Sequence, residues 1–145
     1  MRGLSNLQRL LASGPNYVHA DSQMDVLLVE DNSEVSLITV EYLTELGHST
    51  VAVPAAESAL ERLAERSFDA VLTDVSLPGM SGIDLAKHLS AQYPKLPVVI
   101  ASGYGLHKLE FGLGAHRPNV FFLAKPYDLP ALEKTLSDAA AVAGN

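Results

Sequence analysis

The sequence predicts a doubly wound α/β domain, a five-stranded parallel sheet with helices on both faces. Three observations lead there. Short apolar runs alternate with segments of helical apolar spacing from residue 25 onward. The runs are apolar throughout, as strands covered on both faces must be, rather than at every second residue. The most strongly polar residues stand where those runs end.

The first run, MDVLLVEDN, reads as a buried strand ending in Glu30 and Asp31. NSEVSLITVEYLTELG then reads as a helix. Asn32 or Ser33 suits its N-cap, because a short polar side chain satisfies free N–H groups of the first turn. Val35, Ile38, Tyr42 and Leu46 recur at helical spacing and predict its apolar face. Gly47 suits the left-handed position that closes a helix.

STVAV is the second strand and AAESALERLAER the second helix. DAVLTD is the third strand and ends in Asp74. GIDLAKHLSAQY is a helix stopped by Pro94. LPVVIAS is the fourth strand, ending in Ser102, and NVFFLAK is the fifth, ending in Lys125. Asp128 caps a last helix through LPALEKTLSDAAAVA. Pro130 fits its first turn, where an N–H has no helical partner to lose.

Between the last two strands, GYGLHKLEFGLGAHRP (103–118) is expected to form only a short or irregular fourth helix. Gly105, Gly112 and Gly114 each cost about 1 kcal/mol against alanine in a helix interior, and Pro118 ends any helix there. Residues 1–24 differ from the rest. Leu4, Leu7, Leu10 and Leu11 have helical spacing until Gly14-Pro15 breaks it. The expected division is an N-terminal arm or linker over 1–24 and one domain over 25–145.

Composition agrees with a single packed domain. The chain has 145 residues, 48% of them hydrophobic and 19% charged, enough apolar content to build a core. No apolar run is long enough for a membrane span, and no secretory signal pattern is visible. Cysteine is absent, which excludes disulfides, thiolate metal sites and a cysteine nucleophile. A cytoplasmic protein is expected. The net charge of −7 and the lack of clustered Lys and Arg argue against direct nucleic-acid binding.

In an open parallel sheet, function gathers at the carboxyl edge of the strands. With strand order 2-1-3-4-5, the flavodoxin-like arrangement, Glu30, Asp31 and Asp74 share one crevice. Ser102 and Lys125 stand on its other side. Crowded carboxylates repel. Lys125 relieves part of that, and a hard divalent cation relieves more. Oxygen-only ligands suit Mg²⁺. No histidine adjoins the acids in sequence, which disfavours zinc. A carboxylate beside Mg²⁺ and lysine is a sensible phosphoryl acceptor. Taken singly, each residue has an ordinary explanation. Asp74 suits a turn or cap, Glu30 and Asp31 a helix dipole, Ser102 a turn and Lys125 a solvated surface. Their joint placement favours a site.

VLLVEDN, VLTDVSLPGMSG, VVIASGYG and FFLAKPYD together resemble the receiver domain of two-component response regulators. The resemblance covers about residues 25 to 143 and runs through the acid pair, the D-x-x-x-P-G-M-x-G loop and the K-P pair. It implies that Asp74 is the phosphoacceptor. It implies that Glu30 and Asp31 bind Mg²⁺ with Asp74 and the backbone carbonyl of Ser76. Ser102 then corresponds to the hydroxyl residue that meets the phosphoryl group, and Lys125 to the lysine on a phosphoryl oxygen. Phe122 corresponds to the aromatic switch position, here without a hydroxyl. Pro126 corresponds to a proline after a cis peptide bond.

The segment 103–118 departs from the common receiver pattern. SGYG and KPYD partly resemble the subgroup with an F-A-T-G-x-Y type of motif, often single-domain regulators, which would make Tyr104 a second mobile aromatic. A receiver from a hybrid kinase is the other form the resemblance allows. The implied donor is a sensor histidine kinase or a histidine phosphotransfer protein, and the implied output is a downstream protein target, with the domain a monomer or weak dimer. It is a signalling receiver and not an enzyme in the usual sense. Two alternatives remain. One is a pseudo-receiver, a protein-binding module without phosphorylation; the filled site positions argue against it. The other is a haloacid-dehalogenase-like phosphatase, which would want a second Asp at position 76, where this chain has serine.

Overall fold

A computed structural model describes residues 23–103 and 117–143. Five strands, β1 (Asp25–Val29), β2 (Ser49–Val53), β3 (Ala70–Asp74), β4 (Val98–Ser102) and β5 (Val120–Ala124), form one parallel sheet in the order β2-β1-β3-β4-β5. The described residues hold four helices, α1 (Ser33–Glu45), α2 (Ala56–Glu65), α3 (Gly82–Gln92) and α4 (Leu129–Ala143). The fold class and strand order are those the sequence predicts. Residues 1–22 of the expected arm lie outside the described residues, as does the expected irregular helix of 103–118 apart from its ends.

Successive strand residues face opposite sides of a sheet, and that alternation divides the core in two. Leu27, Val29, Val71, Val98 and Ile100 pack with Ala56, Ala59 and Leu63 of α2 and with Leu85, Ala86 and Leu89 of α3. Val26, Leu28, Leu72, Val99 and Ala101 pack on the other face with Leu43 of α1 and Leu132, Leu136 and Ala139 of α4. Each fully buried leucine or valine contributes about 1.5–3 kcal/mol from apolar burial. The central strands are therefore a rigid mount. β2, at one edge, buries only Val53. Met24, the last residue of the expected arm, is itself buried in the second cluster.

The helix starts follow the polar residues before them. Asn32 accepts from the N–H groups of Glu34 and Val35, both at 3.0 Å. Ser81 accepts from Asp84 N–H at 3.1 Å, and Asp128 from Ala131 N–H at 3.0 Å. Gly47 follows α1 with φ +90°, the left-handed region that favours glycine.

One expected face is corrected. On α1 the buried residues are Thr39 and Leu43. Ile38 is 49% exposed, and Val35, Tyr42 and Leu46 are only half-buried. The helix is turned so that a threonine points inward. Burying a hydroxyl is costly unless it is bonded, so hydropathy alone places Thr39 outside. Tyr127 removes the cost, its hydroxyl lying 2.7 Å from Thr39 Oγ1.

Candidate functional site

β1 and β3 run side by side, with Val29 in register with Thr73. Glu30, just past β1, and Asp74, at the end of β3, therefore emerge together at the carboxyl edge of the sheet. One carboxylate oxygen each from Glu30, Asp31 and Asp74 lie within 4.8 Å of one another. The Glu30 side chain is 4% exposed and that of Asp74 is 14% exposed, while Asp31 faces solvent.

Lys125 follows β5 and joins this group. Its backbone N–H donates to the Ser102 carbonyl at 2.8 Å. Its ammonium donates to Glu30 Oε1 at 2.9 Å and pairs with Asp74 Oδ1 at 3.2 Å. Burial alone would lower the pKa of this ammonium. The hydrogen bond to Glu30 and the charges of Asp74 and Glu30 more than offset burial, so the pKa lies above the ordinary lysine value. Lys125 is a fixed cation at any physiological pH.

One ammonium does not balance three carboxylates. Two like charges about 4 Å apart repel by about 4 kcal/mol at an effective dielectric of 20. The group carries a net charge of −2, from three carboxylates and one ammonium. All its donors are oxygen, the chemistry that suits a small hard dication.

The loop after β3 is tightly built. Asp74 Oδ1 accepts from Val75 N–H at 2.9 Å, and the Thr73 hydroxyl donates to the Asp74 carbonyl at 2.9 Å. The loop closes where Gly82 N–H donates to the Val75 carbonyl at 2.9 Å. A Cβ on Gly82 would overlap the Asp74 carbonyl oxygen. Gly79 has φ +73°. Next to it, Met80 N–H donates to Glu57 Oε2 of α2 at 3.1 Å. Ser76 sits exposed within this loop.

Of the other expected residues, Ser102 and Pro126 stand at the same edge. Ser102 ends β4 and is 2% exposed; it is in register with Ala124, the residue before Lys125. Phe122 is opposite Ile100 in β5 and half-buried against the α2 and α3 core. By strand alternation, it shares a sheet face with Ser102. The Lys125–Pro126 peptide is cis. Tyr104 lies outside the described residues.

Three residues near the site have no role in the sequence reading. Tyr127 and Thr39 form the hydrogen bond above. Burial pushes the Tyr127 phenol above its ordinary pKa, against the opposing effects of Thr39 and Lys125. Glu57 ties the loop after β3 to α2. Nothing in the sequence singles out Thr39, because α1 also carries Ser36 and Thr44. Nothing in the sequence pairs Glu57 with residue 80, because that contact spans the second crossover.

Comparison with known proteins gives the family. The family model for the response regulator receiver domain matches residues 26–137. The response regulator protein FleR of Pseudomonas aeruginosa is 38% identical over 108 residues, 74% of this chain and 22% of that protein. The two-component response regulator PhoP of the same organism is 38% identical over 116 residues, 79% of this chain and 50% of that protein. The chain thus spans half or less of the length of these relatives. Among solved structures, the signal receiver domain of an HD domain-containing protein from Pseudomonas fluorescens superposes with a TM-score of 0.77 at 25% identity. The alignment covers 89% of this chain and 95% of that one. The receiver domain of a Pseudomonas aeruginosa sensor histidine kinase, solved with a magnesium ion coordinated in its active site cleft, gives 0.72 at 25% identity. Here coverage is 85% of this chain and 99% of that one.

Proposed function

The chain belongs to the response regulator receiver domain family of two-component signalling, and from that membership we propose that Asp74 accepts a phosphoryl group from a phosphohistidine. The donor is the histidine of a sensor kinase or of a histidine phosphotransfer protein. A carboxylate oxygen of Asp74 attacks phosphorus in line. The P–N bond breaks, its electron pair returns to the imidazole nitrogen, and an acyl phosphate forms. The observation that carries this reading is the position of Asp74. It ends a buried strand, 3.2 Å from the Lys125 ammonium and within the three-carboxylate group.

Glu30, Asp31 and Asp74, with the Ser76 carbonyl, would hold Mg²⁺; the oxygen donor set and its net negative charge fit that ion. Bound Mg²⁺ supplies positive charge that neutralises the transferring phosphoryl oxygens. Lys125 offers a second, permanent cation to the same oxygens. Ser102, beside Lys125 at the sheet edge, offers a hydroxyl to the phosphoryl group, with Phe122 on the same sheet face as the ring that responds. The new dianion draws Lys125 away from its present carboxylate partners and so favours a second arrangement of the site. Output is contact with a downstream protein. The acidic balance of the chain supports a protein target rather than nucleic acid. Among the described residues, no helix is long and apolar enough to cross a membrane, in keeping with the proposed cytoplasmic setting.

The test is incubation with Mg²⁺ and acetyl phosphate, followed by intact-protein mass measurement. One base-labile phosphoryl adduct is expected, absent in Asp74→Asn and without Mg²⁺. An unmodified wild-type mass, with acetyl phosphate and with phosphorylated kinase alike, would refute the reading and leave a protein-binding module.

A further inference from the structure

We propose that the hydrogen bond between Thr39 and Tyr127 is a positioning device for Lys125, which makes these two residues determinants of how fast Asp74 is phosphorylated. The second half of this inference rests on the function proposed above. The first half does not.

Lys125 lies between two anchors. On its N-terminal side its own N–H is bound to the Ser102 carbonyl at 2.8 Å. On its C-terminal side, two residues on, the Tyr127 hydroxyl meets Thr39 Oγ1 of α1 at 2.7 Å, across a sequence separation of 88. Thr39 is 1% exposed. Asp128 then turns to cap α4. In this short link between β5 and α4, the Tyr127 hydroxyl supplies a polar contact to α1.

Packing alone does not hold the link in place. A cavity of about 410 Å³ opens beside it, lined by Val35, Ile38, Tyr42, Pro126 and the Thr39–Tyr127 pair. The Tyr127 ring does touch the second core cluster, but apolar contact is non-directional. A hydrogen bond is directional and fixes the link along the axis of α1.

Position matters here because lysine is a point charge on a flexible four-carbon stem. Three carboxylates compete for it. Which of them it meets depends on where its backbone is held. With the present anchor it bridges Glu30 and Asp74. A link free to slide along α1 would leave that bridge populated part of the time, and the charge offered to the phosphoryl oxygens would be less well placed.

The experiment reads Lys125 directly. The 145-residue protein is treated with limiting acetic anhydride at pH 8 and acetylation is resolved by residue, with Lys134 as the internal reference, since its side chain is 78% exposed. In the wild type Lys125 reacts more slowly than Lys134. Thr39→Val and Tyr127→Phe each raise Lys125 acetylation about threefold, within the range set by losing one net hydrogen bond, and leave Lys134 unchanged. The double variant goes no higher than either single one, and Thr39→Ser restores the wild-type rate. Unfolding midpoints are measured alongside. A lowered midpoint with unchanged Lys125 acetylation would mean that the pair only stabilises the fold, and would overturn the proposal; so would additive effects in the double variant. In a second arm, phosphorylation by acetyl phosphate and Mg²⁺ slows in both single variants. If acetylation rises but the wild type takes no phosphoryl group, the proposed function fails and the positioning role stands. If acetylation rises and phosphorylation keeps its wild-type rate, the proposed link to phosphorylation is lost.

Discussion

Gly82 opens α3 directly against the backbone of Asp74: a Cβ at residue 82 would overlap the Asp74 carbonyl oxygen. The helix after the β3 loop is thus docked on the strand end that carries Asp74.

Gly82→Ala is expected to lower stability by about 1–3 kcal/mol, the usual penalty for forcing an extra carbon into a packed site. Backbone atoms, not a flexible side chain, are what it meets. Phosphorylation of Asp74 should slow in the same variant. Gly103→Ala is the control, since a Cβ there meets nothing within 4 Å. Urea denaturation of both variants checks the contrast, and equal stability would contradict it.

Lys125→Ala leaves a nearly buried Glu30 without its cation. Removing one partner of a buried pair is costly, and with Lys125 24% exposed the loss should be about 1–3 kcal/mol. Asp74 should still be phosphorylated, with weaker partner binding afterwards. Adding Mg²⁺ should raise the melting temperature of this variant more than that of the wild type, because three carboxylates then lack any other cation. The pH dependence follows from the raised lysine pKa. The stabilisation is fully present below the ordinary lysine value near 10.4 and is lost as pH rises through the higher folded value. Wild type and variant should therefore converge in stability at strongly alkaline pH.

His48 predicts the opposite slope in the acid range. Its Nδ1 accepts from Met24 N–H at 3.0 Å, which requires an unprotonated nitrogen. Burial lowers its pKa, against the opposing charges of Asp69 and Glu133. Its contribution is present above the ordinary histidine value near 6.5 and falls away as pH drops through the lower folded value. Denaturation at pH 7.5 and 5.5 should show less loss on acidification in His48→Asn than in the wild type. An identical loss would assign the acid sensitivity to other groups.

Asn32→Ala removes the acceptor for two N–H groups at the start of α1. About 1 kcal/mol of stability should be lost, readable as a shifted denaturation midpoint at unchanged slope. Asp128→Ala, which deprives α4 of one such acceptor, should cost less.

Much of this molecule was legible along the chain. The strands announce themselves as apolar runs because a parallel sheet is covered on both sides. Asn32 and Asp128 mark helix starts because the first N–H groups of a helix need acceptors. Glu30, Asp31, Asp74, Ser102 and Lys125 were legible too, since each stands where an apolar run stops. The inward face of α1 was not. Val35, Ile38, Tyr42 and Leu46 formed the more apolar stripe, yet Thr39 and Leu43 are the buried residues. The hydroxyl that makes Thr39 tolerable inside belongs to Tyr127, beyond α2, α3 and four strands.

The sequence by itself determined the class of fold, the helix caps and the list of polar residues at the strand ends, because periodicity and capping depend on neighbours a few positions away. Only the tertiary structure decided which of those residues meet. That Lys125 lies between Glu30 and Asp74, that Gly82 abuts the Asp74 carbonyl and that Tyr127 holds Thr39 are contacts between distant segments. They depend on strand order, on register and on the rotation of each helix. Those are set by the packing of the whole core, which no local stretch of sequence contains.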